Sequence, residues 1–263
     1  MPIRVYSERS GFIQLKASFK KNWIHYLREA CGLAIFMISA CLFGALLWGN
    51  DPTFHFSIGN ETTRSIVTGI LMGSTALFIF YSPLTAPSGS QINPAVTISF
   101  LRLKRMCLYD ALFYIIFQVI GGTAAVFLMQ NLLGYPLTAP PVNSVITVPG
   151  RYGQLPALIM EFVIAIVTMI TVLFTSESKK LRRYTRMIAG CLVCTWVIVA
   201  GPISGFGMNP ARSFASALPA NIWTAFWIYL LVPFGGMLSA VELFLVVQRK
   251  RSKKTLNKST SEK

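Results

Sequence analysis

The sequence predicts an all-α membrane protein in which six transmembrane helices and two re-entrant half-helices form an inverted repeat of three plus three. Its composition is the first observation, because 54% of the residues are hydrophobic and only 13% are charged, well below the charged fraction of soluble domains. The second observation is a set of uncharged runs long enough to cross a bilayer. The third is a repeated segment, "SGSQINPAVTISF" at 88–100 and "SGFGMNPARSFAS" at 204–216.

Each transmembrane helix is predicted from an apolar run of about 20 residues, the length that spans a bilayer. The predicted helices are 27–48, 65–84, 108–130, 155–176, 187–203 and 221–247. Apart from Arg64, Arg151 and Arg212, the basic residues cluster in the terminal segments and in loops on one side of this arrangement. This positive-inside pattern explains the net charge of +15 without a nucleic-acid partner and places both termini in the cytoplasm.

The uncharged runs that contain the second and fifth helices, such as Ser65–Leu101, are too long for one helix and awkward for two. Helix 65–84 starts outside and must end inside, and Arg102 must also lie inside. The segment 86–101 therefore enters and leaves by the cytoplasmic face, and 204–218 does the same from the outer face. Irregular backbone at this depth is tolerated only where protein buries it or where it lines a wet cavity.

The two halves of the chain carry the same succession of features. Glu29 in the first helix has a counterpart in Glu161 in the fourth, and a re-entrant segment follows the second helix of each half. Because each half has three spans, the second copy must be inverted, an arrangement typical of transport proteins. The predicted parts are a basic cytoplasmic tail, a channel domain of two repeats and a second basic cytoplasmic tail: 1–26, 27–247 (repeats 27–130 and 155–247) and 248–263.

The tripeptide Asn-Pro-Ala in both re-entrant segments predicts the start of a helix. Asn is a preferred N-cap, whose side-chain oxygen accepts backbone N–H groups of the first turn, and proline suits the first helical position. Two such half-helices from opposite faces would point their positive N-terminal ends at one spot. That spot would suit neutral, oxygen-bearing solutes and repel cations and protons. The residues are Asn93, Pro94, Ala95, Asn209, Pro210 and Ala211.

These features resemble the major intrinsic protein family, the aquaporins and aquaglyceroporins. The resemblance covers about 25–247 and rests on both Asn-Pro-Ala segments, on Glu29 and Glu161, and on Gln118 and Gly121 in "FQVIGG". It implies a pore of six helices and two half-helices in each chain and a homotetramer of four chains. No cofactor, metal or catalytic residue is expected, and we expect a bacterial member of the family.

The resemblance also implies a constriction formed by four side chains. Counted from the two asparagines without gaps, these are Gly73, Val197, Phe206 and Arg212. Strict water channels usually have a bulky aromatic residue and a histidine at the first two positions, so this ring is predicted to be wider and less polar. Phe206 is similar to the residue of glycerol facilitators, whereas Ser213, after the arginine, is similar to that of water channels.

The two intramembrane glutamates allow two interpretations. As proton relays, Glu29 and Glu161 would line the path; as structural groups, each would accept backbone N–H groups from the re-entrant segment of its own half. Their symmetry and the family resemblance favour the structural role. Gln118 is expected to pack against a half-helix.

The sequence predicts a passive channel, and not an enzyme, for water and small neutral solutes such as glycerol, with exclusion of protons and ions. Urea, ammonia and metalloid hydroxides are alternative solutes. A secondary transporter is a less favoured alternative, because few ionisable residues lie near the centre. We expect the chain in the lipid bilayer of the cell (inner or plasma) membrane.

Overall fold

The computed structural model describes residues 11–261, with the backbone alone at Phe12 and from 252 to 261. In this range the regular structure is helical. The α-helices, in chain order, are α1 (Gly11–Trp48), α2 (Glu61–Tyr81), α3 (Pro94–Arg102), α4 (Leu108–Leu133), α5 (Tyr135–Thr138), α6 (Gln154–Glu177), α7 (Thr185–Ser204), α8 (Pro210–Ala220) and α9 (Phe226–Ser261).

Six helices of the described range are long and apolar enough to cross a membrane, namely α1, α2, α4, α6, α7 and α9. The helices α3 and α8 have 9 and 11 residues, which is about 14 and 17 Å at 1.5 Å per residue and roughly half of a bilayer core. The predicted fold class is confirmed, and the chain is a multi-pass membrane protein.

The first helix begins at Gly11, well before its predicted start at 27. Polar side chains of this extension bind the carboxylate of Asp110 near the start of α4. That carboxylate accepts hydrogen bonds from Tyr26 Oη at 2.6 Å and from Asn22 Nδ2 at 3.0 Å. Hydropathy missed the extension because tertiary hydrogen bonds, and not an apolar run, hold it in place.

The boundary between the second half-helix and the last long helix also differs from the prediction. The last transmembrane helix was expected to start at 221, but α8 continues to Ala220 and α9 begins at Phe226. Asn221 adopts a left-handed conformation with φ of 51° and ends α8, as asparagine often does at a helix C-terminus.

The two repeats pack in equivalent pairs. In the first repeat α1 packs against α4, in the second α6 packs against α9, and α2 packs against α7 across the repeats. Each half-helix lies mainly against the last long helix of the opposite repeat, so α3 contacts α9 and α8 contacts α4. These contacts with the opposite repeat hold the two half-helices end to end inside the bundle.

Two glycines let the paired helices approach closely beside the buried glutamates. A Cβ on Gly121 of α4 would overlap the backbone carbonyl of Ala30 in α1. At the equivalent position of the second repeat, a Cβ on Gly236 of α9 would lie 2.8 Å from the Cβ of Ala165 in α6. Small residues at such crossings are what allow membrane helices to pack backbone to backbone.

Candidate functional site

Each half-helix starts at the asparagine of its Asn-Pro-Ala tripeptide. The side-chain oxygen of Asn93 accepts the backbone N–H of Ala95 at 2.9 Å. The oxygen of Asn209 accepts those of Ala211 at 3.1 Å and Arg212 at 3.2 Å. Both asparagines have extended backbones and proline follows each of them, which is the geometry of an N-cap with proline at the first helical position.

The two asparagines also join the half-helices to each other. Asn93 Nδ2 donates to the backbone carbonyl of Met208 at 2.9 Å, and Asn209 Nδ2 donates to that of Ile92 at 2.6 Å. A side-chain amide has two N–H donors, so one N–H of each asparagine remains for a solute. The sequence predicted the caps but not this reciprocal pair of bonds.

The backbone leading into each half-helix adopts left-handed conformations at residues other than glycine. The φ angles are 47° at Ser90 and 42° at Ile92 in the first segment, and 51° at Phe206 and 45° at Met208 in the second. Such conformations cost about 1–3 kcal/mol each and persist only where the surroundings impose them. In each segment one of these residues, Ile92 or Met208, donates its backbone N–H to a buried glutamate.

Glu29 is fully buried and accepts four hydrogen bonds. Its Oε1 accepts from Ser88 Oγ at 2.6 Å and from the backbone N–H of Gln91 at 3.0 Å. Its Oε2 accepts from the backbone N–H of Ile92 at 2.6 Å and from Gln118 Nε2 at 2.9 Å. Because an ionised carboxylate offers about four acceptor positions, these donors occupy the whole group.

Glu161 holds the second segment in the same way and is also fully buried. Its Oε1 accepts from Ser204 Oγ at 2.6 Å and from the backbone N–H of Gly207 at 2.8 Å, and its Oε2 accepts from that of Met208. The position equivalent to the glutamine of the first repeat is Pro233, which offers no side-chain donor.

Two tyrosines support the same segments and were not found by sequence reasoning. Tyr114 Oη donates to the backbone carbonyl of Ser88 at 2.9 Å, and Tyr229 Oη donates to that of Ser204 at 2.8 Å. Each tyrosine lies seven residues before the glycine at which its helix crosses its partner. That shared spacing is the signal that could have identified them.

Two cavities lie along the bundle and share lining residues beside the half-helices. The larger cavity, of about 350 Å³, is bounded by the end of α1, the start of α2 and the end of α7. The smaller cavity, of about 190 Å³, is bounded by the end of α2, the start of α7 and both asparagines, Asn93 and Asn209. Together the cavities extend from one end of the bundle to the other.

The two cavities share three lining side chains, Phe36, Phe206 and Arg212. These side chains therefore form the junction between the cavities. Among the described residues that line the smaller cavity, the charged ones are Arg186 and Arg212. In the larger cavity they are Glu61 and Arg212.

Comparison with known proteins identifies the family. A sequence model of the family described as Major intrinsic protein matches residues 16–243. This chain belongs to the major intrinsic protein family. The family is one of channels and not of enzymes.

Relatives within the family include plant aquaporins. Aquaporin TIP2-1 of Arabidopsis thaliana is 33% identical over 66% of this chain and 69% of its own length. Aquaporin NIP2-2 of Zea mays is 28% identical over 78% of this chain, which spans 65% of that protein. The source of this chain stays a prediction.

A solved structure of the family has the same fold. The aquaglyceroporin from Plasmodium falciparum superimposes with a TM-score of 0.69 over 84% of this chain and 95% of its own. Since the two sequences are 18% identical, this similarity concerns the fold alone.

Three of the four residues predicted for the family's constriction border the larger cavity, namely Val197, Phe206 and Arg212. Gly73 is not among the residues that line either cavity, and its place in the constriction stays a prediction. A Cβ on Gly73 would lie 2.7 Å from the Cβ of Cys194 in α7, so this face of α2 packs against α7. The neighbouring Met72 lines the larger cavity instead.

Gly73 lies in a small-residue contact between α2 and α7. Gly69 and Gly73 form a G-x-x-x-G pattern, and a Cβ on Gly69 would lie 2.9 Å from the backbone oxygen of Cys194. This pattern brings membrane helices together, and successive helical residues point about 100° apart. Counting residues back from Asn93 takes no account of this contact. It therefore gave Gly73, the neighbour of the cavity-lining Met72.

Arg212 lies in the first turn of α8, where its backbone N–H binds Asn209. Its Nη1 is buried and has no hydrogen-bond partner in the described part of the chain. Because a buried, unpaired guanidinium N–H is costly, this atom is suited to donate to an oxygen passing between the cavities.

Proposed function

We propose that this protein is a passive channel for water and small neutral solutes such as glycerol, and that it excludes protons and ions. The observation that carries the proposal is the junction of the two cavities beside both half-helix N-termini. Solutes would pass it in single file, driven by an osmotic or concentration gradient. They would meet the free N–H groups of Asn93 and Asn209 and the guanidinium of Arg212.

Electrostatics favour neutral solutes over cations. The N-terminus of each half-helix carries roughly half a positive charge, and Asn93 and Asn209, at which the half-helices start, both line the smaller cavity. The charged residues that line the smaller cavity are arginines. A cation would lose its hydration shell here without meeting a carboxylate, which is unfavourable.

The chemistry of the junction suits solutes that combine hydroxyl groups with an apolar edge. Arg212 supplies donors, while Phe36 and Phe206 supply apolar faces. Urea, ammonia and metalloid hydroxides present similar acceptors and remain alternative solutes for the same path.

The buried polar groups keep this path in shape. We assign Glu29 and Glu161 as acceptors that maintain the left-handed backbone before each half-helix. Gln118, which donates to Glu29 at 2.9 Å and to Thr97 of α3 at 3.2 Å, links the first half-helix to α4. A carboxylate whose acceptor positions are occupied is a poor proton relay.

We further propose a homotetramer in the cell membrane, with one pore in each chain. Apolar side chains on the outer faces of the bundle, such as Leu112, Ile116 and Ile159, are exposed and fit contact with lipid or with other copies. The channel domain would comprise 27–247, and the basic segments 1–26 and 248–263 would lie in the cytoplasm.

The proposal is tested with purified protein in proteoliposomes. Stopped-flow light scattering should show faster water and glycerol movement than in empty vesicles, and a pH-sensitive dye inside should report no added proton flux. A panel with urea, ammonia and a metalloid hydroxide ranks the solutes. If neither water nor any solute moves faster than in empty vesicles, or if protons pass, the proposal fails.

A further inference from the structure

We propose that Phe36 of α1 sets the largest solute that can pass between the two cavities. This inference rests on the proposed channel function and adds a residue outside the four constriction positions considered from the sequence. The ring of Phe36 would act as one wall of the junction, to which Arg212 contributes hydrogen-bond donors.

The first observation is the position of Phe36 between the cavities. It lines both of them, as do Phe206 and Arg212, whereas Met72 and Val197 line the larger cavity alone. A side chain that borders two adjoining cavities lies where a solute must pass from one to the other. The junction is therefore bounded by two aromatic rings and one guanidinium, and α1 supplies one of the rings.

The second observation is the inverted repeat. Phe36 follows Glu29 by seven residues, and Thr168 follows Glu161 by seven residues. Thr168 lines the smaller cavity, and one helical turn further Ala40 and Val172 line the larger and the smaller cavity. The same helical face thus borders the path in both repeats. Of these two equivalent positions, the first repeat carries a bulky aromatic ring and the second carries a threonine.

Phe36 affects the width of the junction more than its polarity. Phe36 is 9% exposed and belongs to the packed core, so its ring is confined by neighbours and cannot move aside freely. A phenyl ring also offers no strong donor to replace the hydration of a solute. A smaller side chain at this position would widen the junction but leave Arg212 and the asparagines unchanged.

The experiment compares substitutions of three phenylalanines that line the cavities at different places. Phe36→Ala, Phe36→Leu and Phe36→Trp change the junction, Phe43→Ala changes the larger cavity alone and Phe80→Ala changes the smaller cavity alone. Each variant is reconstituted in proteoliposomes, and permeabilities for water, glycerol and the longer polyol xylitol are measured. Size-exclusion profiles and unfolding temperatures in detergent show whether each variant is folded.

We expect the xylitol-to-water permeability ratio to rise roughly tenfold or more in Phe36→Ala, as expected for a pocket that gains room for several methylene groups. The rise should be smaller in Phe36→Leu, and the glycerol-to-water ratio should fall in Phe36→Trp. The ratios for Phe43→Ala and Phe80→Ala should stay within about twofold of the unmodified channel, because neither ring borders the junction.

Unchanged ratios in Phe36→Leu and Phe36→Trp would overturn the inference, and these milder variants decide it even if Phe36→Ala does not fold. A rise of equal size in Phe43→Ala or Phe80→Ala would overturn it too. Failure of the unmodified channel to conduct water or glycerol is a different result, because it contradicts the proposed function itself.

Discussion

Each asparagine of the Asn-Pro-Ala tripeptides binds backbone groups of both re-entrant segments with one side-chain amide. The oxygen of Asn209 caps its own half-helix, while its nitrogen binds the carbonyl of Ile92 before the other half-helix. Asn93 makes the matching bonds to Ala95 and Met208. Aspartate could supply the cap but not the N–H donor, and serine could not reach as far. The amide thus serves both the fold and the path.

The two glutamates show how a buried charge can be tolerated in a membrane protein. Burying a carboxylate without partners is very unfavourable, but Glu29 accepts four hydrogen bonds and Glu161 accepts three. The donors include backbone N–H groups of irregular segments, which need acceptors of their own at this depth. Each carboxylate and its irregular segment therefore satisfy each other's hydrogen-bonding groups.

We predict that Glu29→Ala strongly destabilises the channel. The change leaves the N–H groups of Gln91 and Ile92 and the amide of Gln118 without their acceptor, and each buried unpaired donor costs about 1–3 kcal/mol. Thermal unfolding in detergent should show a lower midpoint, together with reduced water permeability in proteoliposomes. Glu177→Ala is the control, because Glu177 is part of an exposed ion pair with Arg105, worth about 0–1 kcal/mol. Equal midpoints for the two variants would contradict the structural role of Glu29.

At the scale of the helices, the half-helices depend on tertiary contacts for their stability. Helices of 9 and 11 residues are too short to be stable alone. Their N-caps and their packing against α9 and α4 compensate for this. Because each half-helix lies against a helix of the opposite repeat, neither repeat can form its half of the path independently.

The contact between α2 and α7 determines which face of α2 meets the path. Gly69 and Gly73 bring the two helices together, and a Cβ on Gly190 of α7 would in turn meet the side chain of Leu77. This contact turns Met72 toward the larger cavity. A difference of one residue along a helix changes the direction of a side chain by about 100°, so packing selects the lining residue.

We predict that Gly73→Ala lowers stability by about 1–3 kcal/mol, the usual cost of overpacking, since its Cβ would meet Cys194 at 2.7 Å. Gly201→Ala is a matched control, because no atom lies within 4 Å of a Cβ at this helical glycine of α7. Unfolding temperatures in detergent compare the two variants. If Gly73→Ala were as stable as Gly201→Ala and changed the glycerol-to-water ratio, Gly73 would face the path after all.

At the scale of the whole molecule, inversion of one repeat relative to the other produces a path through the membrane. Each repeat contributes one half-helix, one glutamate and one tyrosine to the centre, as shown by Glu29 with Tyr114 and Glu161 with Tyr229. The residues that differ between the repeats determine the width and the polarity of the path. Arg212 and Phe206 come from the second half, and Phe36 comes from the first.

We predict that both termini and the loop between α6 and α7 lie on the same, cytoplasmic side. Trypsin should cleave after the exposed Lys179 and Lys180 only in inside-out vesicles, since a basic loop is retained in the cytoplasm. The exposed Arg151, between α5 and α6, serves as the internal control and should be cleaved only in right-side-out vesicles. The reverse pattern would overturn the proposed orientation.

Several features followed from the sequence because they depend on short-range chemistry. The apolar runs predict the six spans, since a bilayer needs about 20 apolar residues for each. Asn93 and Asn209 predict the half-helix starts, since an N-cap followed by proline is a local signal. The repetition of these signals, with Glu29 and Glu161, predicts the inverted repeat and the family.

Only the tertiary structure decided which side chains border the path. Phe36 and Met72 line it while Gly73 does not, and the extension of α1 from Gly11 depends on the carboxylate of Asp110. These features depend on the rotation and close approach of helices that are distant in the sequence. A close contact at a glycine fixes the rotation of a helix about its own axis. The hydropathy of one chain does not report that rotation.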